Sequence, residues 1–116
     1  MFRLHENDRE YRSGNSGPKY LMNGPRMNFA VMRLNAGQDF KAHYHTEMEE
    51  NFYILDGEVE ITVDGDVQRL RKGDFIHIEP NERHFIRNAS DQPITMVAAL
   101  APHRGKDKVE VEDTGA

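Results

Sequence analysis

Residues 43–50 read HYHTEMEE, two histidines two apart with three carboxylates in the next five positions. In an extended chain, residues two apart share a face. His43 and His45 therefore project together, and Tyr44 points away. Two imidazoles so placed can reach one metal ion, although the same pair also suits two histidines that only hydrogen-bond at a surface. A carboxylate from the next strand would strengthen the first reading. The segment NFYILDG (51–57) runs into a glycine turn, so a hairpin would carry its start back beside the histidines. Glu47 lies nearer the turn and reads as solvated. Strand parity does not separate Glu49 from Glu50, because Phe52 with Ile54 and Tyr53 with Leu55 are both apolar pairs. Two more histidines fall in GDFIHIEPNERHFIRN (73–88). His77 sits mid-strand and reads as a satisfied strand histidine. His84 opens a strand after the PNER turn, at a rim where ligands are commonly presented. His5 and His103 lie in the flanks and receive no role.

The elements that must position these residues are short. Apolar-alternating runs at 28–34, 40–45, 51–57, 58–63, 67–71, 75–79, 84–88 and 94–100 predict eight strands with no helix between them. Val, Ile, Phe, Tyr and Thr concentrate there, so the class is all-β, a sandwich or barrel. Asp64 and Gly65 predict a two-residue hairpin. The chain has 116 residues, which fits a single domain, with a core from about residue 20 to about 101. The lead-in ending in SGNSGP reads as flexible. The charged stretch from His103 reads as a loose tail, or as an edge strand at KVEVE in need of a partner.

Composition narrows the function. Net charge is −5, with no basic cluster, which argues against nucleic acid. No apolar run approaches the roughly 18 residues of a membrane span, and MFRLHENDRE lacks the apolar core of a signal peptide. There is no cysteine, so disulfides, thiolate ligands and a cysteine nucleophile are excluded, and a reduced cytoplasm is the simplest location. No Ser-His-Asp arrangement, phosphate-cradling glycine loop or dinucleotide fingerprint is present.

The two histidine segments together resemble the paired motifs of the cupin superfamily, in its small single-domain form. Gly37, His43, His45, Glu50 and Gly57 fall in the spacing of the first motif, which selects Glu50 over Glu49. Gly73, His84 eleven positions later and Asn88 four beyond that match the second. Two departures occur: Glu79 stands at the usual proline position with Pro80 one later, and Asn81 replaces a glycine. Asparagine tolerates the left-handed conformation better than most residues, so the turn can survive.

The resemblance implies a single jelly-roll barrel with His43, His45, Glu50 and His84 around one divalent transition-metal ion. Three imidazoles and a carboxylate suit Fe, Mn, Zn, Ni, Co or Cu. Such an ion can polarise a carbonyl or carboxylate or orient a water. Its imidazoles must be neutral, so it is expected to leave below about pH 6. Met32, Lys41, Phe52, Ile86 and Met96 are candidates for touching a small-molecule ligand, although core packing, or solvation for Lys41, also accounts for each. The family's members imply a homodimer, with KVEVE or KYLMNGPRM (19–27) available to a partner's sheet. The expected function is a metal-dependent enzyme on a small polar molecule, of oxygenase or isomerase type. Alternatives are a non-catalytic ligand-binding or sensing module and a purely structural barrel.

Overall fold

The structure is a computed structural model and describes residues 1–112; the last four residues of the charged tail lie outside the described residues. Among the described residues ten strands occur: β1 (Gly17–Asn23), β2 (Asn28–Leu34), β3 (Asp39–His45), β4 (Glu49–Asp56), β5 (Glu58–Val63), β6 (Asp66–Arg71), β7 (Phe75–Ile78), β8 (His84–Arg87), β9 (Ile94–Ala101) and β10 (Lys108–Glu110). They form two five-stranded antiparallel sheets, ordered β1-β2-β9-β4-β7 and β10-β3-β8-β5-β6. Sequence neighbours such as β3 and β4 lie in opposite sheets, the jelly-roll way of closing a cup from short strands.

Alternation builds the core. Along β9, Ile94, Met96, Ala98 and Leu100 are buried while the residues between them are partly exposed. β4 contributes Glu50, Phe52 and Ile54 to the same interior. Leu34, Ile61, Ile78 and Ile86 fill the space between the sheets, each such side chain stabilising by about 1.5–3 kcal/mol on burial. The β5–β6 hairpin turns on Asp64 (φ +47) and Gly65 (φ +84), the positive-φ pair that a tight two-residue turn requires. Asn81 adopts φ +69, so the turn before His84 survives the exchange of glycine for asparagine.

Two strands lie beyond the eight runs of the sequence pattern. β1 pairs with β2, and β10 pairs with β3, so both segments expected to reach a partner's sheet are taken up by this chain. Asp107 fixes the second of them. Its carboxylate accepts from the N–H groups of Met48 (2.8 Å), Glu47 (3.0 Å) and Thr46 (3.2 Å) and from the Thr46 hydroxyl. Burial alone would raise its pKa, but these donors hold the carboxyl below its ordinary range. The β3–β4 turn that leads to Glu50 is thereby tied to the start of β10. Asn88 serves the opposite end. Fully buried, it donates to the carbonyls of Gln92 (2.7 Å), Leu34 and Asn35 (both 3.2 Å).

Gly57 joins β4 to β5 at φ +88, where a Cβ would lie 2.5 Å from Ile94 Cγ2 and 3.0 Å from the Pro93 carbonyl oxygen. Gly37 has φ +74 with nothing within 4 Å of a Cβ. Gly57→Ala should therefore cost at least about 2 kcal/mol, whereas Gly37→Ala should cost only the conformational strain of about 1 kcal/mol. Urea denaturation of the two variants beside the parent checks the order; equal losses would count against the packing account.

Candidate metal centre

Strand register brings the four donors together. His43 is the direct cross-strand partner of His84, and directly opposed residues place their side chains on one face. Glu50 arrives from the other sheet, on the buried parity of β4. Its Oε1 lies 2.9 Å from His84 Nε2, 3.4 Å from His45 Nε2 and 4.0 Å from His43 Nε2. One ligand atom from each of the four residues falls within 4.8 Å of all the others. Every member is buried, with Glu50 6% and His84 1% exposed. The alternative carboxylates are elsewhere. Glu49 faces outward, 3.4 Å from His77 Nδ1, and Glu47 pairs with Arg104 on the surface. His77 is satisfied on the outer face by Asn51 Oδ1 at 2.6 Å and Glu79 Oε1 at 3.0 Å.

The rings are aimed by their far nitrogens. His43 Nδ1 lies 2.8 Å from the Lys41 carbonyl oxygen, and His84 Nδ1 lies 3.0 Å from that of Glu82. A proton held at Nδ1 alone would leave Nε2 bare and turned inward, the tautomer that a metal needs; in the ion-free cluster His84 Nε2 is protonated as well and donates to Glu50. His45 differs, because its Nδ1 is buried with no hydrogen-bond partner. Only the Nε2 end of that ring has anything to hold it in place. Three inward imidazole nitrogens beside one carboxylate oxygen fit a divalent transition ion, and the four residues could hold one.

A cavity of about 90 Å³ opens beside the donors. Met32 and Ile86 line it. Phe52 and Met96 do not line it and lie fully buried in the core. Lys41 points outward, its ammonium 3.1 Å from Glu110. The parity that grouped Lys41 with the histidines is broken by a register shift between Phe40 and His43, an extra residue of the kind common beside functional sites. Phe40 takes the inward position instead. Pattern reading also missed Pro18 and Tyr20, which line the cavity from β1, and Arg12 and Lys108 at its rim. The two-residue spacing of Pro18 and Tyr20 was an available signal; for Arg12 and Lys108 no local signal existed.

Electrostatics of the ion-free cluster follow from this packing. Burial and the neighbouring His84 push His43 down to about 4. For Glu50, burial opposes ionisation, but hydrogen bonds from His45 and His84 outweigh it and bring the carboxyl down to about 2. His84 is disfavoured as a cation by burial, yet its hydrogen bond to Glu50 and that residue's charge raise it. A raised histidine contributes stability below its unfolded pKa of 6.5 and loses it as pH rises through the folded value. A depressed histidine or carboxyl contributes above its unfolded pKa and loses it as pH falls. Metal-free protein should therefore be most stable just above pH 6.5, weaken toward pH 4 as His43 is forced to charge, and weaken further below 4.5 as Glu50 is protonated. Urea midpoints across pH 3–8 test this. His43→Gln should flatten the limb between 6.5 and 4, and a parent profile already flat there would contradict the assignment.

Comparison with known proteins gives the same frame. A family model described as a cupin domain matches residues 30–100. Polyketide synthase CurC of Streptomyces cyaneus is 34% identical over 90 residues, which cover 78% of this chain and 57% of that protein. Quercetin 2,3-dioxygenase of Bacillus subtilis is 38% identical over 60 residues, 52% of this chain and 18% of that protein. The chain thus spans less than two thirds of the length of these curated relatives. An uncharacterized conserved protein with a double-stranded β-helix domain from Klebsiella pneumoniae has the same fold, with a TM-score of 0.82 at 19% identity over 97% of this chain and 99% of that one. With all four converging residues inside the matched segment, the chain belongs to the cupin family.

Proposed function

We propose that His43, His45, Glu50 and His84 hold one divalent transition-metal ion, and that the chain is a metal-dependent enzyme acting on a small polar molecule. The observation that carries this reading is the convergence of three buried imidazole nitrogens on one buried carboxylate oxygen, beside a cavity of about 90 Å³. When bound, the ion supplies Lewis acidity to a carbonyl, carboxylate or water. The chain does the rest. The carbonyl oxygens of Lys41 and Glu82 keep two imidazoles in the ligating tautomer, and the apolar walls Met32, Phe40 and Ile86 restrict water.

Every imidazole and carboxylate that lines the cavity belongs to the proposed ligand set. No such group remains free there to abstract a proton from a bound molecule. We place the oxygenase type ahead of the isomerase type, for which Tyr20 and Lys108 are the remaining cavity groups able to move a proton. Similarity to a quercetin 2,3-dioxygenase over half of the chain supports the same preference. A cytoplasmic homodimer completes the reading. Tyr53 and Phe75, cross-strand neighbours on the outer face of β4 and β7 and 45% and 61% exposed, are apolar surface that a second copy would cover.

Two measurements test the proposal. Protein purified without added metal should carry about one equivalent of transition metal by elemental analysis, and His84→Gln less than about a tenth of that. In stripped protein, Fe(II) should restore oxygen uptake where Zn(II) does not. Equal rescue by Zn(II) in an isomerisation assay would move the assignment to an isomerase, and metal without turnover would move it to a binding module. A folded protein without metal would end the reading. Light scattering should give the mass of a dimer at micromolar concentration; a strict monomer would remove that part.

A further inference from the structure

The cavity beside the donors has an apolar body and a cationic rim. Met32, Phe40, Ile86, Ala98 and Leu100 form walls, and the charged side chains that reach it besides the donor cluster are Arg12 and Lys108. Both belong to exposed residues, which places them at the opening rather than the floor. Lys108 is put there by register. It is the direct cross-strand partner of His45, so its stem shares the inward face of that ligand. Its strand is held by Asp107, whose carboxylate accepts five hydrogen bonds from residues 46–48. Arg12 is carried by a turn folded onto β1. Its N–H donates to the Pro18 carbonyl at 3.0 Å, and its guanidinium carbon lies 6.0 Å from the ring centroid of Tyr20, another wall of the cavity.

Among the described residues neither cation forms a salt bridge, and the Glu110 carboxylate that Lys108 also stabilises is shared with Lys41. Glu110, which follows on β10 opposite His43, is paired with Lys41 at 3.1 Å. Asp107 is turned to the β3–β4 backbone. Glu47 is paired with Arg104. Neither Arg12 nor Lys108 forms a salt bridge or a side-chain hydrogen bond among the contacts described for the other basic residues. Below them a divalent ion balanced by one carboxylate would keep a net positive charge. A ligand entering here meets cations at both ends of a short apolar passage.

We propose that the site takes a small organic carboxylate, with its anionic group held at the rim by Arg12 and Lys108 and its apolar body between Met32, Phe40 and Ile86. The proposal rests on the metal reading above and adds its substrate class. The size follows from the cavity, about 90 Å³, which admits only a few heavy atoms. The charge follows from two rim cations that form no salt bridge, the one carboxylate near Lys108, Glu110, being paired with Lys41. Both selecting residues lie outside the matched segment 30–100. Carboxylate recognition by a guanidinium and an ammonium is charge-assisted and strong where water is thin.

The test uses the full chain loaded with Mn(II), its metal content measured first. Pyruvate and lactate are titrated calorimetrically beside lactamide, the neutral isostere of lactate. The acids should bind at least about tenfold more tightly than the amide, the loss expected for one charge-assisted hydrogen bond. The double variant Arg12→Gln, Lys108→Gln should lose about that factor for the acids and leave lactamide and metal content unchanged. The charge-conserving pair Arg12→Lys, Lys108→Arg should recover most of it. Acids and amide binding alike, acids unaffected by the double variant, or no acid bound at 10 mM by protein that holds its metal would each overturn the proposal. If the chain holds no metal, the metal analysis itself reports that separate failure. The acid-over-amide preference is then read by thermal shift on the metal-free protein, where loss of the preference in the parent again overturns the assignment.

Discussion

A carboxylate buried within a β-barrel must be compensated, and the arrangement around Glu50 is organised by that constraint. An isolated ionised carboxylate in an apolar interior is prohibitively costly. Glu50 is 6% exposed, with its near oxygen facing three imidazole nitrogens. The imidazoles are in turn buried polar groups that require partners. Two of them find backbone carbonyls at one nitrogen, and all three turn the other nitrogen inward. The cluster is thus a mutual solution to several desolvation problems, and its donor atoms lie close enough together that they could hold a metal ion. Removing one member leaves the others buried without a partner, which is why such networks are fully built or absent.

The jelly roll makes that solution possible by placing sequence-distant strands on facing sheets. β3 and β8 lie side by side, so His43 and His84 are direct neighbours although 41 positions separate them. Glu50 sits only five positions after His45 yet approaches from the opposite sheet, because the chain crosses over between β3 and β4. The crossover is short and has little internal structure. Asp107 organises it from outside by accepting the N–H groups of Thr46, Glu47 and Met48. The arm that supplies Asp107 also supplies Lys108 at the cavity rim, so the turn supporting Glu50 and the rim of the site are held by one piece of backbone.

The interior lines of the strands divide between function and packing by depth. Along β9, Ile94 and Met96 belong to the closed core, whereas Ala98 and Leu100 face the cavity. Leu100 is opposite Glu50, and Met96 is opposite Ile54 four pairs further along. Ala98 at the open end leaves space beside the donors, while Phe52, Ile54, Ile94 and Met96 fill the interior below. The cup therefore has a rigid floor and a modest chamber above it.

The sequence by itself determined the class of fold, because period-two alternation and turn chemistry are local. Eight of the ten strands, the Asp64–Gly65 hairpin and the tolerance of Asn81 for a left-handed turn were legible there. The spacing of His43, His45, Glu50 and His84 resembled a known pair of motifs, and the fold brings those four residues together. Parity alone could not separate Glu49 from Glu50, since both faces of β4 are apolar and only the packing of the sheet shows which face is inside. It also misplaced Lys41, because a bulge is an insertion in register that a strict alternation cannot contain. Phe52 and Met96 had the correct face at the wrong depth. Arg12 and Lys108 were invisible as cavity residues, because segments at the ends of a chain gain their partners only when the sheets are assembled. Local pattern thus fixes which way a side chain faces within its own strand, and tertiary register decides what it meets.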